Sequence, residues 1–414
     1  MRTAQLSSSG RAFAAILGDG SVVTWGNADA GGDSSAVQDQ LKNVQQIQAT
    51  ERAFAAVLGD GTVVTWGNTL RGGDSSAVRD QLKDVQHIQA TRGAFAAILR
   101  DETVITWGAG ILGGDSSMVR DQLRKVQQIQ ATQGAFAAIL NDGSVVSWGE
   151  TSHGGDSSSV RDQLTNVQEI QANNGAFAAI LCDGSVVTWG AVFAGDSIRV
   201  RELKTVQKIQ ASQAAFAAIL KDGSVVTWGY ADGDSSAVQH QLVDVRQIQA
   251  TERAFAAILN DGSVVSWGDV SRGGDSSSVQ DQLKDVAQIQ ATDGAFAAIL
   301  HDGSVVTWGH EGFGGDSSIV RDQLKNVHQI QATKWGFAAI LSDGSVVSWG
   351  PAPVLGEYSR VRDQLKSVQQ VQATEAAFAA ILKDGSILAW GVAHYGGDSS
   401  TVRRQLAPAS AQEA

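Results

Sequence analysis

A tryptophan–glycine pair recurs ten times in this chain at nearly constant spacing, and this repetition constrains the fold more than any other feature. Successive tryptophans are 41 residues apart, except for two steps of 39 residues, and a phenylalanine stands twelve residues before each of them. The tryptophans are Trp25, Trp66, Trp107, Trp148, Trp189, Trp228, Trp267, Trp308, Trp349 and Trp390. The sequence therefore predicts an array of copies of one small unit.

The repeats leave no stretch long enough for a second domain, so we predict a single repeat domain over residues 1–414. The repeats are predicted at 11–51, 52–92, 93–133, 134–174, 175–213, 214–252, 253–293, 294–334, 335–375 and 376–406, followed by a tail at 407–414.

Each repeat carries the signature of a β-hairpin. In the first copy, the apolar runs Ala12–Leu17 and Ser21–Trp25 are joined by three residues that end in Gly20. This pattern predicts a type I turn closed by a glycine with positive φ. The third repeat has Glu102 at that position, so there we expect a strain of roughly 1–2 kcal/mol or a different turn.

The rest of the repeat predicts a short helix and a third strand. Val37 and Leu41 are four residues apart, as on one face of a helix of about two turns, which Asp33 or a following serine caps. An irregular fourth strand is the alternative for this segment. Val44–Ala49 is predicted to be a strand with Val44, Gln46 and Gln48 on one face. Because Gln48 recurs in later copies, we expect it to bond to the backbone in each, and a ring of amides that binds a ligand is the alternative.

A unit of this size has too few apolar side chains to fold alone, so the repeats are expected to pack against one another. Its antiparallel hairpin favours the blades of a propeller over the coils of a β-helix. We predict a mainly β fold: a β-propeller of about ten short blades, each with three to four strands and a short helix. The Thr3–Ser8 segment matches the last strand of a repeat and is expected to complete the last blade. Its degraded sequence leaves an open, solenoid-like β-rich array as the alternative.

Composition argues against nucleic-acid and membrane partners. The formal net charge is −12 and no run of Lys or Arg interrupts the acidic background, so a phosphate backbone finds no basic patch. No segment approaches the roughly 20 apolar residues of a membrane span, and Met1–Gly10 does not resemble a signal peptide. Cys182 is the only cysteine. These features predict an intracellular protein, cytoplasmic or nuclear.

The sequence also lacks the patterns typical of enzymes and metal sites. The seven histidines occupy different positions of the repeat, and no pair has metal-ligand spacing. The recurring Gly-Gly-Asp-Ser-Ser lacks the lysine of a phosphate-binding loop. A tight turn explains Asp19-Gly20 without calcium. We therefore expect no catalytic activity, no cofactor and no metal.

Variation among the copies indicates where a partner binds. Most positions are nearly constant, whereas the loop after Trp-Gly and the pair before Ala-Phe differ from copy to copy. Apolar side chains on such loops often mark contact surfaces. The candidate partner-binding residues are Leu70, Ile111, Leu112, Phe193, Tyr230, Phe313, Trp335, Leu355 and Tyr395. Neutral variation at unconstrained loop tips is the alternative explanation.

The run Phe13–Gly26 resembles the core of the regulator-of-chromosome-condensation repeat, and the resemblance extends over the whole chain. It implies a β-propeller with four-stranded blades. It also implies roles such as guanine-nucleotide exchange on a small GTPase, scaffolding, or substrate recognition beside ubiquitin-ligase domains. Repeats of that family are typically longer, and commonly seven form a ring.

The sequence therefore predicts a non-catalytic interaction scaffold that binds an unknown protein partner through its variable loops. The alternatives, which follow from the resemblance, are an exchange or regulatory factor for a small GTPase and a substrate-recognition module of a ubiquitin ligase.

Overall fold

The structure, a computed structural model, describes residues 4–191, 200, 203–230 and 233–407. Its strands form ten three-stranded antiparallel sheets, and each sheet uses three strands that are consecutive in the chain. We number the sheets 1 to 10 in chain order. The mainly β prediction, with three strands in each unit, is confirmed.

Within each sheet the middle strand pairs with both others. The first strands are Gln5–Ser8, Val44–Ala49, Val85–Ala90, Val126–Ala131, Val167–Ala172, Val206–Ala211, Val245–Ala250, Val286–Ala291, Val327–Ala332 and Val368–Ala373. The middle strands are Ala12–Ile16, Ala53–Leu58, Ala94–Leu99, Ala135–Leu140, Ala176–Leu181, Ala215–Leu220, Ala254–Leu259, Ala295–Leu300, Phe337–Leu341 and Ala377–Leu382. The third strands are Val22–Gly26, Val63–Gly67, Val104–Gly108, Val145–Gly149, Val186–Gly190, Val225–Gly229, Val264–Gly268, Val305–Gly309, Val346–Trp349 and Ile387–Gly391.

Short helices connect the sheets. A 3₁₀ turn after the tryptophan, here called the post-tryptophan turn, spans Ala28–Ala30, Thr69–Arg71, Gly110–Leu112, Thr151–His153, Val270–Arg272, Glu311–Phe313 and Ala393–Tyr395. A second 3₁₀ helix, the connecting helix, spans Ser35–Gln40, Ser76–Gln81, Arg120–Gln122, Ser158–Gln163, Gln239–Gln241, Ser277–Gln282, Ser318–Gln323, Arg362–Gln364 and Ser400–Val402. After sheet 9 the chain forms two α-helical turns, Ala352–Leu355 and Tyr358–Val361. No helix in the described part of the chain is long and apolar enough to cross a membrane.

The strand that begins each sheet pairs with the strand that follows it in sequence. Val44–Ala49 pairs with Ala53–Leu58, and Gln5–Ser8 pairs with Ala12–Ile16 in sheet 1. The expectation that Thr3–Ser8 completes the last sheet is therefore wrong. The physical reason is the short connection between these strands, since tight connections join antiparallel neighbours.

The hairpin between the middle and third strands has the predicted geometry. Gly20 has φ 83° and donates its N–H to the carbonyl of Leu17 at 2.9 Å. Glu102 adopts φ 65° at the same place, which confirms the predicted strain. Asp19 accepts hydrogen bonds from the hydroxyl and the N–H of Ser21, at 2.7 and 2.8 Å. These bonds favour the carboxylate and lower the pKa of Asp19.

A β-bulge changes the faces of the first strand. The register shifts between Val44 and Gln46, so Val44 and Ile47 are both buried. The prediction that Val44, Gln46 and Gln48 share a face by simple alternation is wrong. So is the expected backbone bond of Gln48 in each copy, because among the described residues we find such a bond only at Gln210.

The connecting helix has the predicted two turns in its longest copies but is more tightly wound than an α-helix. Ser35–Gln40 is a six-residue 3₁₀ helix rather than two turns of α-helix, and it is not a fourth strand. Asp33 accepts a hydrogen bond from the N–H of Ser35 at 2.9 Å. Leu41, directly after the helix, is buried. Short segments favour the 3₁₀ form because it gains a hydrogen bond with fewer residues per turn.

Each sheet contains the same aromatic pair. Phe13 stacks on Trp25 across the strands with ring centroids 5.2 Å apart, and all ten pairs lie between 5.1 and 5.4 Å. The small alanines of the middle strand let the next sheet approach closely. In one cluster, Ala12 and Ala14 of sheet 1 pack with Phe54 of sheet 2.

The described chain groups into two compact units: unit 1 comprises Met1–Asp115 and Asn326–Ala414, and unit 2 comprises Ser116–Lys325. In unit 1, the indole N–H of Trp66 donates to the carbonyl of Gly31 in the preceding repeat at 2.9 Å. Trp25 in sheet 1 makes the same bond, at 3.0 Å, to Gly396 after sheet 10. The last and first sheets therefore pack like sheets that are consecutive in the chain.

We expect Glu102→Gly to raise the free energy of unfolding by about 0.5–1 kcal/mol. The substitution removes the roughly 1–2 kcal/mol that a non-glycine residue costs in the left-handed conformation. Part of this gain is lost because glycine gives the unfolded chain more conformational freedom. Denaturant titration measures the change. The control is Gly143→Ala in another hairpin, where φ is 77° and a new Cβ would lie 2.8 Å from the Cα of Asn166, so stability should fall. A loss of stability in the Glu102 variant contradicts the account.

Candidate interaction surface

In the repeats whose post-tryptophan turn is described as a 3₁₀ turn, two variable parts meet on one side of the sheet. The first is the turn between the first and middle strands, and the second is the post-tryptophan turn. Asn68 donates its N–H to the carbonyl of Arg52 at 2.9 Å, and the Thr50 hydroxyl donates to the carbonyl of Arg71 at 3.0 Å. The threonine bond recurs at Thr91, Thr132, Thr251, Thr292 and Thr374. We call the surface formed by these two turns the loop face.

Backbone hydrogen bonds join the loop-face turns of neighbouring sheets. In unit 1 the N–H of Lys334 donates to Glu375, Glu375 to Gly10, Gly10 to Glu51 and Glu51 to Arg92, at 3.0–3.2 Å. In unit 2 an equivalent row runs through Gln133, Asn174, Gln213, Glu252 and Asp293. Within each unit, the variable side chains of successive sheets therefore belong to turns that are connected by one row of backbone hydrogen bonds.

Two predicted site residues fill space inside their own repeat. Phe313, the third residue of its post-tryptophan turn, covers Gly294, where a Cβ would lie 2.9 Å from the ring. Arg272 lies over the other part of this ring, with its guanidinium carbon 4.5 Å from the centroid. Leu112 covers Gly93 in the same way, at 3.0 Å. Both side chains are half-buried, and this packing accounts for their apolar character.

Other predicted residues extend into solvent. Leu70 and Ile111 are the middle residues of their post-tryptophan turns and are 78% and 71% exposed. Tyr230 follows the third strand of sheet 6 and is 48% exposed. Leu355 is half-buried at the end of an α-helical turn, next to the buried Val354. Phe193 lies outside the described residues.

The structure brings Trp335 and Tyr395 together in unit 1. Their ring centroids are 6.3 Å apart in an edge-on arrangement, and both side chains are partly exposed. The guanidinium carbon of Arg11 lies 5.2 Å from the centroid of Tyr395. We call these three residues the aromatic cluster. They come from sheets 9, 10 and 1, and all three occupy variable positions. Arg11 was missed from the sequence, although it stands in the same variable pair as Trp335.

Opposite charges alternate along the turns of unit 1. Glu51 forms an ion pair with Arg92, and Lys334 pairs with Glu375 at 2.8 Å. Burial opposes ionisation of Glu51, but the hydrogen bond and charge of Arg92 outweigh it, so the pKa of Glu51 is lowered. The same contact raises the pKa of Arg92. The loop face of unit 1 therefore presents paired charges beside its aromatic cluster.

Within the described residues, no group of three or more His, Cys, Asp or Glu side chains is placed to hold a metal ion. Cys182 is exposed in a hairpin turn.

No protein-family model matches the chain, and no curated protein matches it. Solved structures resemble it at low identity. Prp20p from Saccharomyces cerevisiae, described with its binding to Gsp1p and histones, is 16% identical, with 74% of this chain and 82% of that chain covered and a TM-score of 0.37. The CRINKLY WD40 ectodomain of the Arabidopsis thaliana receptor kinase ACR4 is 19% identical, with 63% and 91% covered and a TM-score of 0.37. The computationally designed Ika8 protein is 15% identical, with 75% and 96% covered and a TM-score of 0.34. Similarity at this level transfers no partner or activity to the chain.

We expect Gly294→Ala to destabilise the protein by about 1–3 kcal/mol, because the new methyl group collides with Phe313. In the double variant Gly294→Ala/Phe313→Ala the collision is absent, so the two changes should cost less together than their sum by at least roughly 0.5 kcal/mol. A denaturation double-mutant cycle measures this coupling. Gly110→Ala is the control, since its Cβ would meet only Asp115 at 3.7 Å. Additive effects of the two substitutions contradict the proposed packing.

Proposed function

We propose that this protein is a non-catalytic interaction module that binds a protein partner through the loop face of unit 1. The observation that carries the proposal is the aromatic cluster of Trp335, Tyr395 and Arg11. Trp, Tyr and Arg are the residues that most often dominate binding energy at protein interfaces. All three come from positions that vary between repeats, whereas the residues that hold the sheets together are nearly constant.

Two further features support this surface. Leu70 and Ile111, the most exposed of the predicted site residues that the structure describes, belong to the same unit and the same kind of turn. Apolar side chains that stand in water add binding energy when a partner covers them. The backbone row beneath the loop face keeps the turns in place, which reduces the entropy lost on binding.

The Trp335→Ala and Arg11→Ala variants test the proposal. We expect each to weaken partner capture by the immobilised full chain at least tenfold, because each removes a central side chain of the contact. Quantitative mass spectrometry of retained proteins measures capture, and the thermal midpoint of each variant reports its folding. Phe313→Ala is the matched control, since its ring also lies beside an arginine on the loop face but in unit 2.

Unchanged capture by folded Trp335→Ala and Arg11→Ala contradicts the proposal. Retention of a GTPase only in the absence of nucleotide would instead favour the exchange-factor alternative.

We also infer that the ten sheets are the blades of one closed β-propeller. Support comes from the contacts between sheets 10 and 1 in unit 1. Trp25 bonds to Gly396, and Leu6, Phe13 and Ile381 share one core cluster. Those contacts match the ones between consecutive sheets.

We expect class averages of the full chain by electron microscopy to show a closed disc with ten-fold modulation. A curved strip with two free ends is the outcome that contradicts closure and supports the open array.

A further inference from the structure

A polar recess of about 460 Å³ lies in unit 2 along the first strands of sheets 5, 6 and 7. Its polar lining consists mainly of Glu169, Gln171, Lys208, Gln210, Arg246 and Gln249. The buried side chains of Ile209 and Ile248 also line it. Cavities of this size hold small molecules, and a few convergent polar groups on apolar walls are typical of such sites.

The charged residues of the recess depart from the repeat. Glu169, Lys208 and Arg246 each occupy a position where most copies of the first strand have glutamine. The three substitutions fall in three consecutive sheets and converge on one recess. The recess itself carries two positive charges and one negative charge, whereas Lys208 and Arg246 also line an adjoining recess with Asp222 and Asp244.

Arg246 is held in place by the neighbouring sheet. One of its terminal nitrogens donates to the carbonyls of Val286 and Ala287, at 3.0 and 3.3 Å. Ala287 stands where Arg246 itself and several glutamines stand in other copies, and it brings a smaller side chain to that position. Guanidinium groups fixed in this way bind phosphate or carboxylate with little further loss of entropy.

The amides of the recess form a regular row. Gln171, Gln210 and Gln249 occupy the same position in successive sheets. The Gln171 amide donates to Glu169 at 2.6 Å, and the Gln210 amide donates weakly to the carbonyl of Ala211 at 3.4 Å. An amide has both donor and acceptor atoms, so these groups retain acceptors for the hydroxyls of a ligand.

We propose that this recess binds a small polyhydroxylated anion of the sugar phosphate class. The Lys208 ammonium and the Arg246 guanidinium bind the phosphate. The amide row and the Glu169 carboxylate bind the hydroxyls, and Ile209 and Ile248 contact the apolar edge of the ring. This site is separate from the loop face and does not depend on the function proposed above.

Calorimetric titration of the full chain with glucose 6-phosphate at low ionic strength tests the site. We expect saturable binding that Lys208→Gln and Arg246→Gln each weaken at least tenfold. Both variants introduce the residue that most other copies carry, so the fold tolerates them. The charge-matched control is Lys383→Gln, in a hairpin of unit 1, which should leave binding unchanged.

Glucose and inorganic phosphate, titrated separately, should each bind at least tenfold more weakly than glucose 6-phosphate. The absence of glucose 6-phosphate binding, or equal binding by the Lys208→Gln variant, overturns the proposal. Inorganic phosphate that binds as tightly as the sugar phosphate overturns the role assigned to the amide row.

Discussion

The packing between sheets depends on one hydrogen bond, which the indole N–H of a buried tryptophan donates to a backbone carbonyl of the neighbouring repeat. The indole N–H groups of Trp25, Trp66, Trp107, Trp189 and Trp308 each donate to a glycine carbonyl of the neighbouring repeat at 2.9–3.1 Å. A buried donor without an acceptor costs about 1–3 kcal/mol, so this bond fixes the position of one sheet against the next. The acceptor glycine has positive φ and lies against the phenylalanine of the following sheet, with no room for a Cβ.

Exceptions to this bond follow from changes in the loop that supplies the carbonyl. After sheet 9 the loop is α-helical, and Trp390 donates to the hydroxyl of Ser348 instead, at 3.3 Å. Trp228 and Trp267 have no acceptor among the described residues. Each follows a loop that has lost one glycine of the usual pair. The two indoles without an acceptor in the described part of the chain are therefore the two that follow the shortened loops.

The structure of each turn was predictable from the sequence. Which of two equivalent neighbouring hairpins a strand joins was not. The hairpin and its positive φ at Gly20 follow from local turn chemistry. The partner of the strand Val44–Ala49 does not follow from local sequence, because hairpins of nearly the same sequence precede and follow this strand in the chain. The bulge at Val44 could not be recognised from alternation of apolar and polar residues, because it places the buried residues Val44 and Ile47 three positions apart. For the site, the sequence identified variable positions but did not separate Phe313, which packs on Gly294 of its own repeat and beneath Arg272 of the preceding one, from Trp335, which meets the aromatic ring of Tyr395.

The row of backbone bonds beneath the loop face has a single direction. Lys334 donates its N–H to the carbonyl of Glu375, Glu375 donates to Gly10, and Gly10 donates to Glu51, so all these bonds point the same way along the row. Aligned peptide groups polarise one another, so each bond is stronger when the next is intact. Loosening one turn thus weakens the turns beyond it. In unit 1, a substitution that displaces the turn at Glu375, Gly10 or Glu51 therefore disturbs bonds to the turn before it and to the turn after it.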